Sequence, residues 1–168
     1  MTLSTAGSQS PTVSSAGRIL AIDYGRRRIG LAVSDASGSV PRPLATLERT
    51  NRRNDLRRLR EIVRQHEVRR IVVGHPLHLD GTAGEMAEEA ARFAARIEKE
   101  LRLPVELVDE RLSSWEAEQI LAAAETPARK RGGQAAGSRR QGGERIDAVA
   151  AAVILRDYLE HKRKRAKG

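Results

Sequence analysis

The chain has no cysteine, which excludes a disulfide framework and every cysteine-based zinc site. Aromatic side chains are nearly as scarce: Tyr24, Phe93, Trp115 and Tyr158 are the only four in 168 residues. A nucleic-acid partner would therefore be held mainly through its phosphates rather than by base stacking, and phosphate contacts carry little sequence information. No apolar run approaches the roughly 20 residues that span a bilayer. Residues 1–17 are rich in Ser, Thr, Ala and Gly. They lack the basic start and apolar centre of a secretory signal, so a cytoplasmic protein is expected. The same stretch has nothing with which to build a core and reads as a disordered tail. The remaining length suits one domain, here placed at 18–160.

Positive charge is what the chain has in excess: 31 Lys+Arg against 22 Asp+Glu, a formal net charge of +9. Such a balance points to a polyanion, of which nucleic acid is the commonest. The cations fall in three groups: a dense run of arginines from Arg49 to Arg70, a set comprising Arg129, Lys130, Arg131, Arg139 and Arg140, and a basic tail over 161–168 that would add non-specific affinity.

Apolar patterning orders the rest. Arg18–Asp23 and Arg28–Ser34 read as strands joined in a hairpin, and Pro43–Glu48 as a weaker third strand. Leu56, Leu59, Ile62 and Val63 have helical spacing within 51–66. Val68–Val73 reads as a buried strand. A helix over 84–101 sets Met86, Ala90, Phe93, Ala94, Ile97 and Leu101 on one face, and Pro104–Val108 is a fifth strand. Ser113-Ser-Trp-Glu116 fits a capping box opening a further helix. Thr126–Gly143 reads as a mobile basic loop, and a last helix runs from near Glu144 to about His161. A meander followed by βα units implies an α/β fold: a mixed five-stranded sheet with helices on both faces.

Three carboxylates stand at element ends. Asp23 closes the first strand, Asp109 and Glu110 close the fifth, and Asp147 lies in the first turn of the last helix. That helix continues Ala148-Val-Ala-Ala-Ala-Val-Ile-Leu155, apolar almost all round, which puts Asp147 at or near the core. A buried carboxylate is costly unless paired, and a metal ion is one such partner. Hard divalent ions such as Mg²⁺ or Mn²⁺ prefer oxygen ligands and keep waters that a substrate phosphate can replace. Strand alternation puts Asp109 and Glu110 on opposite faces without saying which faces inward. Arg111 offers a forked donor to a scissile phosphate or to Asp109. Ser113 suits a helix N-cap that could also receive a phosphate, and Gly25 suits a tight turn that leaves room for substrate. Gly81-Thr82 reads as the start of the following helix. Arg129, Lys130 and Arg131 are placed to close over a nucleic-acid strand. The four histidines lack metal-ligand spacing and read as surface or loop residues.

Taken in order, Ala21-Ile-Asp-Tyr-Gly25, Arg28-Ile-Gly-Leu-Ala-Val33, Val72-Val-Gly-His-Pro-Leu77, Leu79-Asp-Gly-Thr82, Val108-Asp-Glu-Arg-Leu-Ser113 and Ile146-Asp-Ala-Val-Ala-Ala151 resemble the YqgF/RuvX family. That family is a branch of the RNase H-like superfamily, which also includes Holliday-junction resolvases. The resemblance covers roughly Arg18 to Tyr158. It implies an RNase H-like fold and a nuclease that matures the 5′ end of precursor 16S ribosomal RNA, with Asp23, Glu110 and Asp147 as the metal-binding catalytic acids. RNase H-like nucleases commonly use a fourth acid, for which Asp109 and Asp80 are the candidates. Two other readings stand beside this one: a Holliday-junction resolvase acting on branched DNA, and a non-catalytic RNA-binding factor in ribosome assembly or transcription. A resolvase usually works as a symmetric dimer, and the sequence leaves monomer or homodimer open.

Overall fold

Alternation along the first strand decides the architecture. In the computed structural model, which describes residues 17–112 and 138–168, β1 spans Arg18–Tyr24. Leu20, Ile22 and Tyr24 pack into one apolar layer, while Ile19 and Ala21 pack into another. A strand buried on both faces must be central, and β1 is. It pairs antiparallel with β2 (Arg28–Ser34) and parallel with β4 (Val68–His75). Outside these lie β3 (Pro41–Glu48) and β5 (Val105–Asp109), giving the order β3-β2-β1-β4-β5. The expected mixed five-stranded sheet is therefore present.

The first layer lies under α1 (Arg52–Gln65) and α2 (Glu85–Leu101). Helix α1 begins where the Asn51 side chain accepts the Asn54 N–H at 2.9 Å, a standard N-cap. Its Leu59 is fully buried, and Leu56, Ile62 and Val63 pack beside it. Helix α2 buries Ala87, Ala90, Phe93, Ala94 and Ile97. Ala87 rather than Met86 therefore starts the inward face. The small alanines let α2 approach the strands, and Phe93 fills the space beside Tyr24, their ring centroids 4.9 Å apart.

The second layer is built by α3 (Ser138–Ala166), whose Ala151, Ile154, Leu155 and Leu159 pack on Ile19, Ala21, Ala32 and Val72. Two expectations change here. The helix starts at Ser138 rather than near Glu144, because Gln141-Gly-Gly143 does not break it. It also continues past His161 through Ala166, so most of the basic tail is its last turns. Lys and Arg suit that end, where helix carbonyls lack partners. The capping box at Ser113–Glu116, the segment 126–137 and residues 1–16 lie outside the described residues.

Candidate active site

Ile22 and Tyr24 belong to the α1/α2 layer, so Asp23 between them points toward α3. Glycines flank it on both sides. Gly30 of β2 is its antiparallel register partner. On the other side Ile22 pairs with Val73, which puts Gly74 of β4 beside Asp23. Neither glycine is there for a left-handed turn; each makes room. A Cβ at Gly30 would fall on the main-chain carbonyl of Asp147. A Cβ at Gly74 would fall on the Glu110 carboxylate and lie 2.7 Å from Ile154 Cδ1. The row Gly30–Asp23–Gly74 thus lets the α3 backbone settle on one side of Asp23 and the Glu110 side chain on the other.

The same geometry settles Asp109 against Glu110. Asp109 is the register partner of His75, and Val108 that of Gly74. Val108 packs with the α3 layer, and Glu110, reached through the short 3₁₀ turn Glu110–Leu112, returns to that face over Gly74. Asp109 instead is held by Arg111, which donates Nε–H to Oδ1 and Oδ2 at 3.0 and 2.9 Å and Nη2–H to Oδ2 at 2.6 Å.

Electrostatics mark the three inward acids. Burial pushes the Asp23 carboxyl up to about 6, and the nearby Asp147 adds to the effect. Burial likewise pushes Glu110 up to about 7, followed by the charges of Asp23 and Asp109. Asp147 is raised by burial and pulled back by Arg28. Arg28 Nε stands 2.8 Å from Asp147 Oδ2. That oxygen is nevertheless buried and accepts no hydrogen bond. The two facts agree if the N–H is close but poorly aligned, so the carboxylate has charge compensation without a filled acceptor.

The remaining expected residues divide. Gly25 does occupy a tight turn: a Cβ there would come 2.5 Å from the Arg28 carbonyl oxygen. Arg111 takes the ion-pair alternative. Asp109 is tied to it, and its charge still adds to the rise at Glu110. Asp80 accepts the Thr82 N–H at 2.9 Å and Thr82 Oγ–H at 2.7 Å. Gly81-Thr82 is therefore a turn with Gly81 at φ +88°, and the helix starts three residues later with Gly84 as N-cap. Ser113, Arg129, Lys130 and Arg131 lie outside the described residues. Gly30, Gly74 and Arg28 were not given these roles by sequence reasoning. An isolated glycine within a strand was the available signal, since it often marks a close backbone approach. Arg49, the first of the dense arginine run, precedes α1 and donates to Tyr24 Oη at 2.9 Å and the Gly25 carbonyl at 3.1 Å, fixing the β1–β2 turn.

Among the described residues, no three His, Asp or Glu side chains stand close enough together to form a ready-made metal cage. The donors nevertheless fit a hard divalent cation that keeps several waters, which needs only one or two carboxylates. Asp23 is electrostatically coupled to both Asp147 and Glu110. The unfilled Asp147 Oδ2 is a buried oxygen with acceptor capacity to spare.

A five-stranded mixed sheet with carboxylates at strand ends on one face is the RNase H-like architecture. The Thermus thermophilus RuvC structure shares the fold, with TM-score 0.50 and 12% identity over 88% of this chain and 96% of that one. Residues 17–161 match the family described as "RuvX: Holliday junction resolvase", and the chain belongs to that family. Its relatives include proteins named "Putative pre-16S rRNA nuclease" from several bacteria. The one from Koribacter versatilis is 46% identical over 87% of this chain and 88% of its own length. The one from Anaeromyxobacter sp. (strain K) is 46% identical over 86% and 98%, and that from Geobacillus kaustophilus 43% over 87% and 99%.

Proposed function

We propose that the protein is a divalent-metal-dependent endonuclease that cuts precursor 16S ribosomal RNA. The carrying observation is the Gly30–Asp23–Gly74 row, which brings Asp147 and Glu110 against Asp23 in a partly buried setting. Burial, reinforced by the charge of Asp147 at Asp23 and of Asp23 at Glu110, favours the protonated forms of Asp23 and Glu110. Asp23, Glu110 and Asp147 would hold Mg²⁺ or Mn²⁺, which supplies a water nucleophile of lowered pKa and stabilises the charge on the phosphodiester. Asp23 is central and couples to both others. Glu110, with the highest of the two values, is the carboxyl that must give up its proton when a cation binds at neutral pH. Arg129, Lys130 and Arg131 add phosphate contacts, and such contacts explain how a chain with four aromatics can hold RNA.

The family description keeps branched DNA as the second substrate. The test offers purified protein an RNA carrying the 5′ end of precursor 16S rRNA and, in parallel, a four-way DNA junction, each with Mg²⁺, Mn²⁺ or a chelator. Metal-dependent cleavage of the RNA, lost in Asp23→Asn, is the expected result. Cleavage of the junction alone would move the protein to the resolvases. Undiminished cleavage by Asp23→Asn would overturn the assignment of the site.

A further inference from the structure

The Arg28–Asp147 pair has features that a purely structural ion pair lacks. A second Arg–Asp pair in the same chain gives the contrast. Asp55 is buried, accepts the Thr50 N–H at 3.1 Å and faces Arg49 Nε at 3.4 Å, while Arg49 is also anchored to Tyr24 and Gly25. Every charge in that pair has a second partner. Arg28, in contrast, touches Asp147 Oδ2 at 2.8 Å without filling it as an acceptor, and its side chain is 42% exposed. Asp147 is the only carboxylate paired with Arg28 among the described residues.

Arg28 also borders an open pocket on its other side. Arg26, Arg27, Arg28, Glu48 and Arg49 line a cavity of about 530 Å³ beside the β1–β2 turn. Arg26 is tied to Glu85 at 2.9 Å and Glu89 at 2.8 Å, and Arg49 to Asp55. Arg27 has no ion-pair partner among the described residues, so a guanidinium swinging from Asp147 into this space joins one uncompensated cation and faces Glu48. Two like charges sharing a pocket favour an anion between them.

We infer that Arg28 is a resident cation that stands in for a divalent ion at Asp147 and, when the ion binds, turns into the arginine pocket to hold a backbone phosphate of the nucleic acid. The inference rests on the proposed nuclease function. Arg28 is then a positioning residue with two alternating partners, both anionic: a carboxylate in the metal-free protein and a phosphodiester in the loaded one. Alternation along β2 sets Arg28, with Gly30 and Ala32, on the α3 side of the sheet, and its place as the first residue of β2 leaves it beside the β1–β2 turn that the pocket borders.

The two roles predict effects of opposite sign in one variant. Removing a positive charge beside Asp147 favours cation binding, and removing a phosphate donor weakens RNA binding. Mn²⁺ binding by calorimetry, and binding of a non-cleavable phosphorothioate RNA in the presence of Mn²⁺, would be compared for wild type, Arg28→Gln and Arg28→Lys. The RNA probe is a 5′-end precursor 16S oligonucleotide titrated at several salt concentrations. Arg28→Gln is expected to bind Mn²⁺ about threefold or more tightly, to bind RNA more weakly, and to lower the salt slope by about one. Arg28→Lys keeps the charge and should hold Mn²⁺ close to the wild-type level. It also serves if the glutamine variant fails to fold. Weaker or unchanged Mn²⁺ binding in Arg28→Gln, with folding intact, would show a merely structural pair and overturn the inference. So would unchanged RNA binding, or tighter Mn²⁺ binding in Arg28→Lys equal to that of the glutamine variant. If the wild type binds no Mn²⁺ and cleaves nothing, the nuclease reading itself falls. If the wild type binds and cleaves but the variants behave alike, only the role of Arg28 falls.

Discussion

The two faces of the sheet are made by the same strands and do opposite things. Toward α1 and α2, β1 presents Leu20 and Ile22, and the partner helices return Leu59, Phe93 and Ile97, all apolar and all buried. Toward α3 it presents Ile19 and Ala21 and then Asp23, and the neighbouring strands contribute glycines where the first face has isoleucine and valine. One face gains free energy by removing apolar surface from water. The other uses small residues to bring a helix close, and accepts the cost of crowding carboxylates there. Stability and chemistry are thus separated by a single-residue alternation, and each can be perturbed without the other.

The largest effect should come from the α3 face and should leave stability alone. Asp23→Asn, Glu110→Gln and Asp147→Asn are each expected to lower cleavage at least about 100-fold, the upper range for losing even a supporting residue around a metal. Thermal unfolding of the first two in chelator should be unchanged or shifted upward, since each removes a carboxyl whose charged form burial disfavours. A large drop in Tm would break the comparison. On the other face, Ile97→Ala should cost about 2–5 kcal/mol of stability through a cavity in the core. Cleavage measured well below its Tm should change little, and loss of activity with a normal Tm would show that the faces are not independent.

A smaller effect concerns pH. Asp23 and Glu110 titrate at about 6 and about 7 in the folded chain, above their ordinary values of 3.8 and 4.5. The folded state therefore binds more protons than the unfolded one between pH 4 and 7. Stability in chelator should fall as pH rises through that window, by on the order of 3 kcal/mol from Asp23. The difference between wild type and Asp23→Asn isolates this term from the other carboxylates in urea titrations at each pH. A flat difference curve would show that Asp23 is not held in its neutral form. The smallest effect belongs to Asn51, whose cap on α1 should be worth about 1 kcal/mol. Asn51→Ala measured by the same titrations should lower stability by that amount with cleavage intact.

How much of this the sequence discloses depends on the kind of contact. Strands and their hairpin are legible because Arg18–Asp23 and Arg28–Ser34 carry short apolar runs, and the choice of α1 and α2 faces follows from i, i+3, i+4 spacing. The three acids are legible as residues near element ends, although Asp147 falls in the third turn of α3 rather than its first, because the helix already begins at Ser138. Their convergence is not, because it depends on β1 lying between β2 and β4, a partnership between residues some fifty positions apart. Alternation separates Asp109 from Glu110 but cannot say which faces α3 until the register with His75 and Gly74 is fixed. Gly30 and Gly74 read as ordinary strand glycines until the Asp147 carbonyl and Glu110 carboxylate are seen beside them. The start of α3 is hidden for a different reason: Gly142-Gly143 weakens a helix locally, and packing of the residues that follow can override such propensity.

One consequence of the strand order lies at its outer margin. Strand β3 closes the sheet on the side of β2 and has no further strand beyond it among the described residues. Its sequence opens Pro41-Arg-Pro43, set opposite Ser34 and Ala32. Each proline lacks an N–H, so a second copy trying to add a strand here meets a ladder with missing rungs, beside the charge of Arg42. Prolines and a charge at a sheet margin are features that oppose edge-to-edge pairing between copies.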